Sequence, residues 1–365
     1  MWRPVVDPAL EPIHEKIGIG ERLGFEDGVT LYRSPDLLGV GHLANIVRER
    51  LHGRKAYFIR NQHINYTNIC VNGCRFCAFG RKKGGPGAYQ MSLDEIFSKV
   101  RGLLDNYISE LHIVGGLNPE LPYQYYIDML RGIHEIRPDV HIQAFTVVEV
   151  AFIAEQSGRT VAQTLTELKE AGLGSIPGGG AEVFSSRIRR ELCEKKLPPE
   201  GYLGVAKTAH RLGIRTNATM LYGHIETVEE RVDHLIRLRE AQDETGGFLT
   251  FIPLAFHPAN TELAHLRGTT GYDDLKNIAV ARLMLDNFDH IKSFWIMVTP
   301  KISQLSLLFG ADDIDGTVTE ERITHAAGAQ TAEALTRREL VRMIEETGRE
   351  PVERDTVYVP VTVDN

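Results

Sequence analysis

Short apolar runs alternate along the chain with stretches in which apolar residues recur every three or four positions. The short runs predict strands at residues 57–67, 111–114, 141–145, 175–177, 215–221, 248–255, 291–298 and 305–308. The recurring pattern predicts helices at 93–106, 123–136, 161–171, 202–212, 228–242 and 273–286. Strands alternating with helices imply parallel βα units, an α/β fold. Eight such strands close most simply into a TIM-type (βα) barrel over residues 57–320. An open doubly wound sheet and a partly open six-stranded barrel are the competing architectures. Residues 1–56 read as an N-terminal helical extension, with an amphipathic helix over 36–51 that Asp36 is placed to cap. Residues 321–365 form a C-terminal extension packed on the barrel.

Polar and glycine-rich segments cluster where the predicted strands end, at 68–77, 115–116, 146–149, 178–180, 223–226, 257–258 and 310–317. In a barrel these ends share one mouth, where active sites are built. Composition narrows the picture only slightly. The chain has 365 residues, 42% apolar and 25% charged, with a formal net charge of -8. It carries no basic tail or long Lys/Arg stripe of the kind nucleic acids select. Without a signal-peptide core or an 18-residue apolar stretch, a cytoplasmic protein is expected.

Three of the four cysteines, Cys70, Cys74 and Cys77, fall within eight residues. This spacing suggests a metal site in a reducing compartment rather than disulfides. Thiolates suit both zinc and iron–sulfur clusters. Structural zinc needs a fourth ligand, for which Cys193, His63 and His112 are candidates. A cluster held by three cysteines leaves one iron open, which favours chemistry over simple electron transfer. Cys193 itself reads as a buried filler or a free thiol.

The CxxxCxxC loop, with Phe76 before its last cysteine, resembles that of the radical S-adenosylmethionine (SAM) superfamily. Further stretches extend the resemblance from about residue 20 to residue 358 and point to the futalosine-route group of that superfamily. They include NYTNICVNGCRFCAFG at 65–80, HIVGGLNPELP at 112–122, FIPLAFHP at 251–258 and GADDIDGT at 310–317. The resemblance implies a [4Fe-4S] cluster on Cys70, Cys74 and Cys77, and SAM as a consumed co-substrate. It implies addition of the 5′-deoxyadenosyl radical to 3-[(1-carboxyvinyl)oxy]benzoate, then rearrangement and decarboxylation to 6-amino-6-deoxyfutalosine. The partners expected are this anionic aromatic enol ether and a reduced flavodoxin or ferredoxin-type electron donor, with neither nucleic acid nor membrane. The alternatives are another radical SAM enzyme, such as cyclic dehypoxanthine futalosine synthase or a deazaflavin synthase, and a metal-stabilised binding protein without activity.

For SAM, the resemblance points to Gly115 and Gly116 at the methionine end and to Thr146 and Glu149 near the ribose. Asn217 and Met220 lie on the fifth strand, and Arg231 matches a basic residue that pairs with the SAM carboxylate. Plain readings stand beside each: a turn for the glycines, a helix start for Glu149, core for Met220, and a surface ion pair with Glu229 or Glu230 for Arg231. For the substrate, His63, Arg81, Tyr222, His257 and Lys301 are the candidates, the charged groups among them offsetting its two negative charges. Asp312, Asp313 and Asp315, with His257, are candidates for proton exchange, or for helix capping in the case of the aspartates. No G-x-S-x-G elbow or dinucleotide fingerprint is present.

Overall fold

The computed structural model describes residues 6–361. The outermost parts of the two extensions, residues 1–5 and 362–365, lie outside it.

Ten strands form. They are β1 (Lys55–Ile59), β2 (Asn61–Ile64), β3 (Glu110–Ile113), β4 (His141–Ala144), β5 (Ser175–Ile176), β6 (Arg215–Tyr222), β7 (Phe248–Ala255), β8 (His290–Ile291), β9 (Asp313–Gly316) and β10 (Glu350–Glu353). β2 through β8 build one seven-stranded sheet in sequence order, parallel throughout. β10, β1 and β9 build a second, three-stranded parallel sheet.

The expected eight-stranded closure is therefore corrected. The predicted strand at 57–67 divides at Arg60, and its halves join different sheets. The predicted strand at 305–308 is instead the end of the helix Pro300–Ser306 and the turn after it. Thr299 starts that helix by accepting from Ile302 N, with Pro300 in the first turn where its missing N–H costs nothing. Leu305 and Leu308 are exposed while Leu307 is buried in the smaller core, so burial does not alternate as a strand requires. The predicted strand at 291–298 shortens to β8 and gives way to the helix Trp295–Val298. Where closure was expected, the segment around β9 makes single bridges to both edges of the large sheet, Lys292 to Asp313 and Gln62 to Thr319.

The helices begin where their first residues dictate. Asp36 caps Leu37–His52 by accepting from Gly39 N at 2.8 Å. Ser92, Thr146, Thr160, Thr227 and Thr270 each open a capping box. The N-terminal helices share the main apolar core with the large sheet, through Leu10, Ile13, Leu31, Val40 and Leu43. A smaller core of Phe58, Ile314, Leu340 and Ile344 lies between the three-stranded sheet and the helix Arg337–Glu346. Among the described residues, no helix is long and apolar enough to cross a membrane.

Candidate active site

The loop after β2 is held in shape by its own backbone. Cys70 N donates to Arg81 O and Arg81 N to Asn68 O, while the Asn68 side chain braces Gly87 and Tyr89. Cys77 N donates to Cys74 O, drawing the last two cysteines into one turn. The three cysteines are free thiols, and all three line a cavity of about 330 Å³. That size lies at the lower end of the range for small-molecule sites. Burial pushes the Cys74 thiol up to about 12. A thiolate there needs a compensating charge, which a bound metal provides.

The glycines beside this loop are required by close packing. A Cβ on Gly116 would stand 2.3 Å from Ile69 O and 3.0 Å from Cys70 Cβ. A Cβ on Gly115 would meet the Tyr66 ring at 2.8 Å. The cysteine loop thus rests directly on the end of β3. Glu149 fixes the same corner. Its Oε1 accepts from Tyr66 OH at 2.8 Å and from Gly115 N at 3.0 Å, and its Oε2 accepts from Thr146 N at 2.8 Å. Burial raises the Glu149 carboxyl, and these donors oppose the shift. The same contacts make it the third residue of the capping box on the helix Val147–Ser157.

The cavity brings together Cys70, Cys74, Cys77, Gly115, Gly116, Thr146, Glu149, Asn217, His63, His257 and Asp315 from the sequence reading. Asn217 donates to Gln143 Oε1 at 3.3 Å, and His257 Nε2 lies 2.9 Å from Met297 O. Other candidates sit elsewhere. Met220 is in the core. Tyr222 OH donates to Asp274, whose carboxyl burial raises to about 6. Arg231 pairs with Glu226, not with Glu229 or Glu230, and lies against the Tyr32 and Tyr222 rings. Arg81 is a strut of the cysteine loop, donating to Ala78 O at 2.7 Å and Gly80 O at 3.0 Å. Lys301 is on the surface, and Cys193 is buried near Cys74 without lining the cavity. Asp312 is bound by Arg282, and Asp313 by Arg354. None of the three aspartates caps a helix.

Sequence reasoning missed the two lysines that line the cavity. Lys196 pairs with Glu182 and lies over the Phe76 ring at 5.3 Å. Lys292 follows β8 and stands 3.3 Å from Asp315 Oδ1. Lys292 had a signal, a lone charge in the apolar run HIKSFWIMV at 290–298. Lys196 had none, since nothing in its charged neighbourhood marks it out.

Parallel strands with one three-cysteine loop opening on a cavity define a class of enzyme, and the comparisons agree. The profile of the Radical SAM superfamily matches residues 64–238, and that of the CofH/MqnC C-terminal region matches residues 245–364. The chain belongs to the radical SAM superfamily, whose members use SAM and an iron–sulfur cofactor. Within it, the chain is 50% identical over 365 residues to aminodeoxyfutalosine synthase of Thermus thermophilus, covering 99% of this chain and 98% of that one. It is 41% identical over 345 residues to the 5-amino-6-(D-ribitylamino)uracil–L-tyrosine 4-hydroxyphenyl transferase of Methanosphaerula palustris, covering 93% and 94%. Methylornithine synthase shares the fold, with a TM-score of 0.74 at 19% identity over 93% of this chain and 97% of that one.

Proposed function

We propose that the chain joins the adenosyl group of SAM to 3-[(1-carboxyvinyl)oxy]benzoate, with rearrangement and loss of the carboxyl group, giving 6-amino-6-deoxyfutalosine. The observation that carries this reading is the 50% identity to aminodeoxyfutalosine synthase across nearly all of both chains.

Cys70, Cys74 and Cys77 would hold a [4Fe-4S] cluster with one iron left for SAM. Their support is the donor set itself: three free thiols bordering one cavity, with soft sulfur suited to iron. When bound, the reduced cluster supplies the electron that splits SAM into methionine and the 5′-deoxyadenosyl radical. The chain's own residues do the positioning. Gly115 and Gly116 give SAM a surface without side chains beside the cysteines. Glu149 holds Gly115 in place through its N–H, while Thr146 offers a polar contact from the end of β4 and Asn217 one from within β6, where it is bonded to Gln143. His257, with one ring nitrogen engaged by Met297 O, presents its other edge toward the substrate. Apolar groups such as Phe256, Leu254 and Met297 exclude water from a reactive radical. A reduced flavodoxin or ferredoxin-type protein is the electron donor in this reading, and the chain works in the cytoplasm.

The test is anaerobic incubation of reconstituted, reduced protein with SAM and the enol-ether benzoate, followed by mass analysis. An adenosylated product that has lost the enol-ether carboxyl and kept the ring carboxyl is expected. Free 5′-deoxyadenosine without any adduct would overturn the reading, as would purified protein with one zinc and no visible absorption band.

A further inference from the structure

Below the cysteine loop, the cavity ends in a polar floor that the sequence reading did not assemble. Parallel register places His63 beside His112 and His112 beside Gln143, so β2, β3 and β4 carry the three in one row. Gly115 and Thr146 lie three residues further toward the mouth, a depth of about 10 Å at roughly 3.3 Å per residue. Lys292 reaches the same floor from β8, the opposite edge of the sheet. All four residues line the cavity.

The floor is buried, and Gln143 is bonded to Ser175 and Asn217, yet the capacity of His63 and Lys292 is not filled. His63 is 6% exposed and makes no side-chain hydrogen bond among the described residues, and its Nε2 is buried without a partner. Its ring stacks on His112 at 4.5 Å. Lys292 is 5% exposed, and its one side-chain hydrogen bond among the described residues is the 3.3 Å contact to Asp315. An ammonium carries three hydrogens, so two remain to be used. Buried polar groups are normally satisfied, and orphans facing a cavity mark a place where a ligand completes the set. Two carboxylates, Glu110 and Asp315, line the cavity beside these groups, so Lys292 is a cation set among acids. Glu110 stands 3.7 Å from His112 Nδ1, and Asp313 is bound by Arg354.

We propose that Lys292, with the His63 ring beside it, forms a carboxylate-binding floor that takes the ring carboxylate of the substrate. This rests on the function proposed above. That substrate carries one carboxylate on its reacting enol-ether end and another across a benzene ring. With the reacting end held beside the cysteine loop, the ring extends into the cavity and its carboxylate meets the lysine. A charge-assisted bond to a buried ammonium both binds and selects. An enol ether lacking the ring carboxylate leaves Lys292 unfilled and binds more weakly.

The test uses reconstituted holoenzyme without reductant, so that calorimetry reads binding and not turnover. The probes are 3-[(1-carboxyvinyl)oxy]benzoate and its phenyl analogue without the ring carboxylate. Lys292→Met is expected to weaken benzoate binding roughly 10- to 100-fold. It should leave the phenyl analogue and SAM nearly unaffected, and Lys292→Arg should restore part of the loss. Equal losses for both probes, or unchanged benzoate binding, would overturn the proposal. If Lys292→Met does not fold, His63→Phe takes its place under the same criterion, with a smaller selective loss expected. Reduced wild-type protein separates this from the parent reading: no adenosylated adduct sinks the function, whereas an adduct without a Lys292-dependent preference sinks only the floor.

Discussion

Asp312 and Asp315 stand three residues apart and anchor two buried polar clusters that differ in one respect. Around Asp312 both oxygens are used. Oδ1 accepts from Arg282 Nη2 at 2.6 Å and from Ile291 N at 2.8 Å, and Oδ2 lies 2.5 Å from His290 Nδ1. His290 stacks in turn between His52 and Tyr358, with ring centroids at 4.9 and 3.5 Å. His290 and Arg282 hold the Asp312 carboxyl well below the usual range, against the cost of burial. Around Asp315 the pattern reverses. Burial raises its carboxyl, Lys292 reaches it by a single long contact, and among the described residues His63 Nε2 has no hydrogen-bond partner. Burial alone does not separate a structural polar group from a ligand-binding one. Completeness of partnering does: the first cluster is finished by the fold, and the second is left open toward the cavity.

The largest break in this comparison comes from the open side. Cys74→Ser should leave the protein folded but without a full complement of iron, and SAM cleavage should fall to background. Iron analysis with measurement of 5′-deoxyadenosine checks both. Next comes the closed side. Arg282→Leu strands a buried carboxylate and is expected to cost about 3–5 kcal/mol in denaturant unfolding. Lys292→Met should cost clearly less, because the Asp315 carboxyl, already raised, takes up a proton instead. Comparable losses for the two variants would erase the distinction between the clusters.

Glu149 lies between these extremes, complete in its bonds yet bordering the cavity. Glu149→Gln replaces a charged acceptor by a neutral one. A loss of about 1.5–3 kcal/mol in stability is expected from weakened charge-assisted bonds, with weaker SAM binding measured by equilibrium titration. Unchanged affinity would remove Glu149 from the account of the SAM end.

The effect that is smallest near neutral pH is a pH dependence. His234 is fully buried, with Nε2 at 2.9 Å from Thr219 O and Nδ1 accepting from Phe184 N. That geometry fixes the neutral ring, and burial lowers its pKa to about 3. The unfolded chain takes up this proton near pH 6.5, and the folded one does not. The stability is therefore present above about pH 6.5 and is lost as pH falls toward 3, at about 1.4 kcal/mol per pH unit. Replacing His234 with Gln should flatten that acid-side slope by one proton's worth. An unchanged slope would show that His234 is already charged in the fold.

What the sequence disclosed follows the same physics. The cysteine loop and the strands from β3 to β7 are local patterns, and each was legible; at Thr146 and Glu149 only a helix start was read, for Glu149, and not the capping box. β9 was not, because Asp-Ile-Asp-Gly has no strand propensity. It is buried through distant cations, Arg282 before it and Arg354 and Lys292 along it. The apolar run at 305–308 misled for the converse reason, since a threonine cap and a proline start a helix there. Arg231 read as a ligand for SAM because its role depends on Glu226, five residues back and buried beside it. Lys292 and His63 stand at opposite edges of the large sheet and come together only where the segment around β9 bridges both edges, which no local pattern encodes.

The central claim is that the cavity carrying Cys70, Cys74 and Cys77 transfers an adenosyl group rather than only generating a radical. The most direct measurement follows SAM labelled with carbon-13 in its adenosyl group through turnover with the enol-ether benzoate. The account predicts that the label enters the decarboxylated product, one adenosyl group per substrate consumed. Label recovered wholly as 5′-deoxyadenosine, with the substrate altered but unadenosylated, would contradict it.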